Sequence, residues 1–158
     1  MFLDCTFRDG GYYVNWDFDE SLVFKYLEAV KKAKIDIIEI GFRFLPKKKF
    51  VGALGYTSDD YLKSLPIPSS VKVAVMINAN ELLNYSKGPE AAIKLLFNNK
   101  HKSPVHIVRI ATNANDIYEC KKIANSLNKL GYEVCLNIMQ IDSLKNDEIT
   151  NIAKIVSN

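Results

Sequence analysis

The chain has 158 residues, 48% hydrophobic and 25% charged, the size and balance of a single globular domain with a buried core. Its 21 basic and 18 acidic residues leave a formal charge of +3, too small and too scattered for a nucleic-acid surface. No run approaches the ~20 apolar residues of a membrane span, and no basic-then-apolar leader opens the chain, so a cytoplasmic protein without membrane partners is expected.

Five apolar, β-branched runs are predicted as strands at 2–7, 35–41, 71–77, 105–111 and 133–139. The first leads into Asp4-Cys5-Thr6-Phe7-Arg8-Asp9-Gly10-Gly11, where a cation and a carboxylate stand side by side and two glycines are expected to turn the chain. A helix is predicted over 20–34, capped by Asp19 or Ser21, with Leu22, Val23, Tyr26, Leu27, Val30 and Ala33 as its apolar face. Lys31, Lys32 and Lys34 lie at its carboxyl end, where the helix dipole favours cations.

The second strand carries Glu39 inside an apolar run, where a carboxylate must be paired, metal-linked or placed at the strand mouth. A long connection through Lys47, Lys48 and Lys49 follows, then a short helix near 58–64. Those lysines read either as a solvated charge run or as an attractor for an anionic substrate. The third strand ends in Asn78 and precedes a helix at 89–99 that opens on Pro89. The fourth contains Arg109, and a helix from Asn115 or Asp116 to Gly131 follows it. The fifth passes through Asn137, and a last helix begins between Ser143 and Asp147. Cys5, Cys120 and Cys135, odd in number and without a CxxC pair, read as reduced and mostly buried thiols.

Strands and helices alternating about every 30 residues make this an α/β chain of five βα units and one domain, 1–158. By periodicity alone the units fit a doubly wound open sheet as well as part of a (β/α)8 barrel, which needs about 250 residues. In either, ligands gather at the carboxyl ends of the strands, where Arg8, Asp9, Glu39, Asn78, Arg109 and Asn137 fall. Neither a G-x-G-x-x-G nor a phosphate-loop signature is present to support a nucleotide binder.

The run DCTFRDGGYY resembles the opening Asp-x-Thr-Leu-Arg-Asp-Gly of the DRE-TIM metallolyases, enzymes typified by 4-hydroxy-2-oxovalerate aldolase and the isopropylmalate synthases. IDIIEIGFR, VHIVRIAT and GYEVCLNIMQ are similar to the aldolase branch in order and spacing. The resemblance implies a TIM-barrel fold, of which this chain is the amino-terminal part. It implies metal-dependent carbon–carbon bond cleavage or formation on a 2-oxo acid. Asp9 would ligate Mn²⁺ or Mg²⁺, Arg8 would stabilise the enolate, and Glu39, Asn78, Arg109 and Asn137 would support or bind substrate.

Two departures qualify that expectation. Tyr12 stands where the aldolase branch has a catalytic His, and reads either as an acid–base group or as an aromatic wall. The family's His-x-His metal pair has no counterpart, and the spacing of His101 and His106 does not replace it, so a complete metal site is not encoded. An open five-strand sheet predicts a homo-oligomer or association with a missing carboxyl-terminal half. A non-catalytic half-barrel that serves only as an assembly module is the alternative function.

Overall fold

A computed structural model describes residues 1–157. The strands are β1 (Leu3–Asp4), β2 (Ile37–Phe42), β3 (Lys72–Asn78), β4 (Val105–Thr112) and β5 (Glu133–Ile138). The helices are α1 (Thr6–Val14), α2 (Glu20–Lys32), α3 (Ala53–Tyr56), α4 (Asp59–Ser64), α5 (Ala79–Leu83), α6 (Pro89–Leu96), α7 (Ile117–Lys129) and α8 (Asn146–Ser157). No helix among the described residues is long and apolar enough to cross a membrane.

All neighbouring strands are parallel and the sheet runs β1-β2-β3-β4-β5 in chain order. A doubly wound sheet reverses its strand order part-way, and this one does not. The sheet curls into half of a TIM-type barrel, which decides between the two architectures that periodicity left open.

Side chains alternate across each strand and so sort the core into two parts. Ile38, Ile40, Val73, Val75, Ile77, Val108 and Ile110 face the helices and pack with Val23, Leu27, Val30, Ile123 and Leu127 in the large outer core. The alternate residues Ile37, Ala74 and Ile107 form a separate small cluster on the concave face. Glu39 and Arg109 continue that concave set toward the carboxyl ends of their strands.

β2 to β5 fall within one or two residues of their predicted spans, and Asp19 caps α2 by accepting from the Ser21 N–H at 2.8 Å. The amino terminus differs. The expected strand over 2–7 is only two residues long, and Gly10 and Gly11 lie inside α1 rather than in a turn. Asp4 starts that helix, its carboxylate accepting from Thr6 N and Thr6 Oγ1, each at 3.0 Å. A glycine inside a helix costs about 1 kcal/mol relative to alanine, and Gly11 is retained by tertiary packing. A Cβ there would overlap the Trp16 indole, which lies directly against the helix. The chain instead reverses at Asn15 and Trp16, both left-handed at φ 51° and 55°.

A second correction concerns the thiols. Cys120 is buried as expected and Cys5 half-buried, but Cys135 is exposed. It lies on β5, an outer strand of the sheet, none of whose residues is fully buried, where β2 is buried throughout.

Candidate active site at the carboxyl ends of the strands

α1 follows β1 directly and carries Arg8 across to β2. There Arg8 Nε donates to Glu39 Oε1 at 2.6 Å. The other oxygen, Oε2, accepts from Arg109 Nη1 at 2.8 Å, and Arg109 Nη2 donates to Asn137 Oδ1 at 2.9 Å. Arg8 Nη1 donates to Asp9 Oδ1 on its other side. Five of the seven site residues read from the sequence thus form one chain of contacts, Asp9–Arg8–Glu39–Arg109–Asn137, contributed by α1, β2, β4 and β5.

Burial ranks these groups. The Glu39 side chain is 0% exposed, Arg8 14% and Arg109 19%, while Asp9 is 57% exposed. A carboxylate with no solvent contact needs charge-assisted partners on both oxygens, and the two guanidiniums supply them. Burial works against the Arg8 charge, but Glu39 and Asp9 outweigh it and hold the guanidinium protonated above its ordinary pKa. Nη2 of Arg8 has no hydrogen-bond partner among the described residues. The Cys5 thiol, 3.3 Å from Asp9 Oδ2, is raised by burial and by that carboxylate, the opposite of what a nucleophilic thiolate needs.

The remaining two expected residues stand apart. Asn78 caps α5, its Oδ1 accepting from Glu81 N at 3.3 Å. Tyr12 is 63% exposed and packs edge-on against Trp16, with ring centres 4.9 Å apart. Lys47, Lys48 and Lys49 are all exposed, and Lys47 pairs with Glu81 at 2.6 Å. His106, half-buried near the start of β4, accepts from Val73 N at 3.2 Å through Nδ1 and lies at the opposite end of the strand from the site.

Sequence reasoning missed two elements. Trp16 donates its indole N–H to the Arg8 carbonyl at 3.0 Å and so fixes the turn of α1 that bears the guanidinium; a lone tryptophan after an Asn is its only trace in sequence. Arg43, just past β2, is clamped outside the barrel by Asp59 Oδ1 at 2.8 Å and by the Thr57 carbonyl at 2.5 Å. The signal was a second charge, placed immediately after a strand that is apolar apart from Glu39.

Asp9 was expected to hold a divalent cation. Among the described residues no group of three or more His, Cys, Asp or Glu side chains is placed to hold an ion. One carboxylate already in contact with Arg8 is too small a donor set for Mn²⁺ or Mg²⁺ by itself. The cavities of about 310 and 530 Å³ lie elsewhere, against α7 and α8 and against α4 and α6.

No family model matches the chain, and no curated protein matches it. Among solved structures, it is similar to the "N-terminal domain of a putative aldolase from Bacteroides vulgatus", with 28% sequence identity and a TM-score of 0.78. The fold is aldolase-like. The match covers 99% of this chain, which spans 60% of the length of that structure. The half-barrel with its intervening helices is therefore common to both.

Proposed function

We propose that this chain belongs to the aldolase branch of the DRE-TIM metallolyases and acts on 2-oxo acids in the cytoplasm. The observation that carries this reading is the fully buried Glu39 shared between Arg8 and Arg109 on the concave face of the sheet. Two guanidiniums with one buried carboxylate between them retain one positive charge, and Asp9, the most exposed member, is the counter-charge easiest to displace. A 2-oxo acid would take its place at Arg8.

In the cleavage direction the 4-hydroxyl gives its proton to solvent water, the C3–C4 bond breaks and an aldehyde departs. The bonding electrons pass to the C2 oxygen as an enolate, which is later protonated at C3. Arg8 is fixed by Glu39 and by the Trp16 bond to its carbonyl, so its N–H groups are aimed before that charge develops. Arg109 holds Glu39 from the far side and orients Asn137 toward the substrate. Were a divalent cation bound, Asp9 would be one of its ligands and the ion would polarise the 2-oxo group, but the described carboxylates do not supply the rest of its donor set.

Calorimetric titration with oxalate, a planar mimic of the pyruvate enolate, tests this, with and without Mn²⁺, on wild type, Arg8→Ala and Asp9→Ala. Binding that is lost in Arg8→Ala and strengthened by Mn²⁺ only when Asp9 is present is the expected result. A folded wild-type protein that binds oxalate under neither condition rules the reading out.

A second reading, a half-barrel that works by pairing with a complementary half or a second copy, is favoured by the sheet edges. Phe2 and Leu3 at β1 are 72% and 39% exposed, and Met139 and Ile141 beyond β5 are 38% and 40% exposed. Light scattering on the purified chain decides it, a monomer at every concentration being the adverse outcome.

A further inference from the structure

We propose that Tyr12 sets the substrate class: the site accepts 2-oxo acids that carry an aromatic ring on C4, and the ring lies against Tyr12. This rests on the reading that Arg8 holds the 2-oxo acid end.

Arg8 and Tyr12 are four residues apart on α1 and share one face, their Cβ atoms about 5–6 Å apart. β2 repeats the same direction beneath them. Glu39 is bonded to Arg8, and Phe42, at the carboxyl end of the strand, has its ring centre 6.0 Å from that of Tyr12. A molecule held at Arg8 and extending out of the mouth therefore runs along the Tyr12 ring. Three carbon–carbon bonds of about 1.5 Å separate C2 of a 2-oxo acid from a ring on C4, an extended reach of about 4 Å, and the ring itself spans the rest of the about 5–6 Å between successive same-face side chains.

The ring is also held ready. Tyr12 is 63% exposed, but behind it Trp16 and Phe42 are only 8% and 3% exposed. Trp16 meets Phe42 and Phe44 edge-on at 5.3 and 5.0 Å, and the two phenylalanines stack at 4.5 Å. An exposed ring backed by a packed aromatic layer presents its surface without first losing rotamer freedom, which is what ring recognition needs. A proton-transfer role finds no such preparation. Among the described residues no hydrogen bond reaches the Tyr12 hydroxyl and no cation packs on its ring.

The test compares two uncleavable ligands, 2-oxo-4-phenylbutanoate and 2-oxobutanoate, by calorimetry on the full chain, with emission of Trp16, the only tryptophan, as a second readout. Wild type should bind the phenyl compound about fivefold more tightly. That ratio should fall to about one in Tyr12→Ala and persist in Tyr12→Phe, with Tyr12→Leu replacing the alanine variant if the latter does not fold. A wild-type ratio near one, or a ratio that survives Tyr12→Ala, overturns the proposal while leaving the Arg8 site intact. Failure of both ligands to bind folded wild type overturns the Arg8 site and this proposal with it.

Discussion

Arg109 Nη1 donates to Glu39 Oε2 over 2.8 Å although the two residues are 70 apart in sequence. With Arg8 on the other oxygen, Glu39 is the joint through which β2, β4 and α1 hold one charge arrangement. Glu39→Gln keeps the side-chain shape but leaves two guanidiniums facing each other across an amide. Breaking a buried pair usually costs about 3–5 kcal/mol. Arg8 and Arg109 retain some solvent, so a loss near the lower end, about 3 kcal/mol, is expected from urea unfolding. Adding Arg109→Met should recover part of it, because the second variant removes one of the unpaired charges. A strictly additive double variant would show that the two residues are not coupled.

Gly10 and Gly11 are adjacent in α1 and should respond oppositely to alanine. At Gly10 a Cβ meets only Phe18, at an ordinary 3.6 Å, so Gly10→Ala should be neutral or stabilise by about 0.5–1 kcal/mol through the unfolded chain. At Gly11 the Cβ overlaps the indole, and Gly11→Ala should destabilise by about 1–3 kcal/mol. It should also shift the Trp16 emission to longer wavelength as the ring is pushed outward. Thermal melts and fluorescence spectra of the two variants check this, and a matched response from both would refute the packing role given to Trp16.

The same pair shows why sequence reading succeeded in one place and failed in another. β2 to β5 are long apolar runs whose burial is set by their own composition, so their positions were legible to within one or two residues. Gly-Gly read as a turn because local propensity says so; the packing of Trp16 against Gly11 is a tertiary contact, and no local pattern announces it. For the site, Arg8, Asp9, Glu39, Arg109 and Asn137 were legible because parallel strands bring their carboxyl ends together, and one arginine or carboxylate in an apolar strand stands out. Asn78 was legible only as a strand end, and its side chain is used up capping α5. The Arg43–Asp59 clamp was not legible because it closes across a loop whose path the sequence does not fix.

That clamp carries an acid-sensitive part of the stability. Burial pushes the Asp59 carboxyl up, but the Ser103 hydroxyl, the Arg43 guanidinium and the Asn98 amide outweigh it and hold it below its ordinary value. A depressed folded-state pKa contributes stability above the unfolded value of about 3.9 and loses it as pH falls through the folded value. Asp59→Asn should cost about 3–5 kcal/mol at neutral pH, since Arg43 is 3% exposed and its Nε already lacks a partner among the described residues. The variant should also lose less than wild type between about pH 4 and about pH 2. Urea midpoints across that range measure both effects, and parallel acid limbs would remove Asp59 from the account.

His106 governs a different window. Its imidazole is shifted down by burial first, then by Lys100 and Lys72, with the Pro104 backbone and Glu133 opposing them. The neutral ring is what the fold uses, because Nδ1 accepts from Val73 N and a protonated ring cannot accept there. A folded pKa below the unfolded value of about 6.5 means stability is complete above that pH and is lost as pH falls through the folded value. Acidification from about pH 7 to about pH 5 should therefore weaken the protein before the Asp59 carboxylate begins to protonate. His101, the other histidine, is exposed and serves as an internal comparison. His106→Gln should flatten the decline over that interval, while His101→Gln should leave it in place. If both variants decline as wild type does, the weakening has another source, and His106 is only a surface-side neighbour of β3.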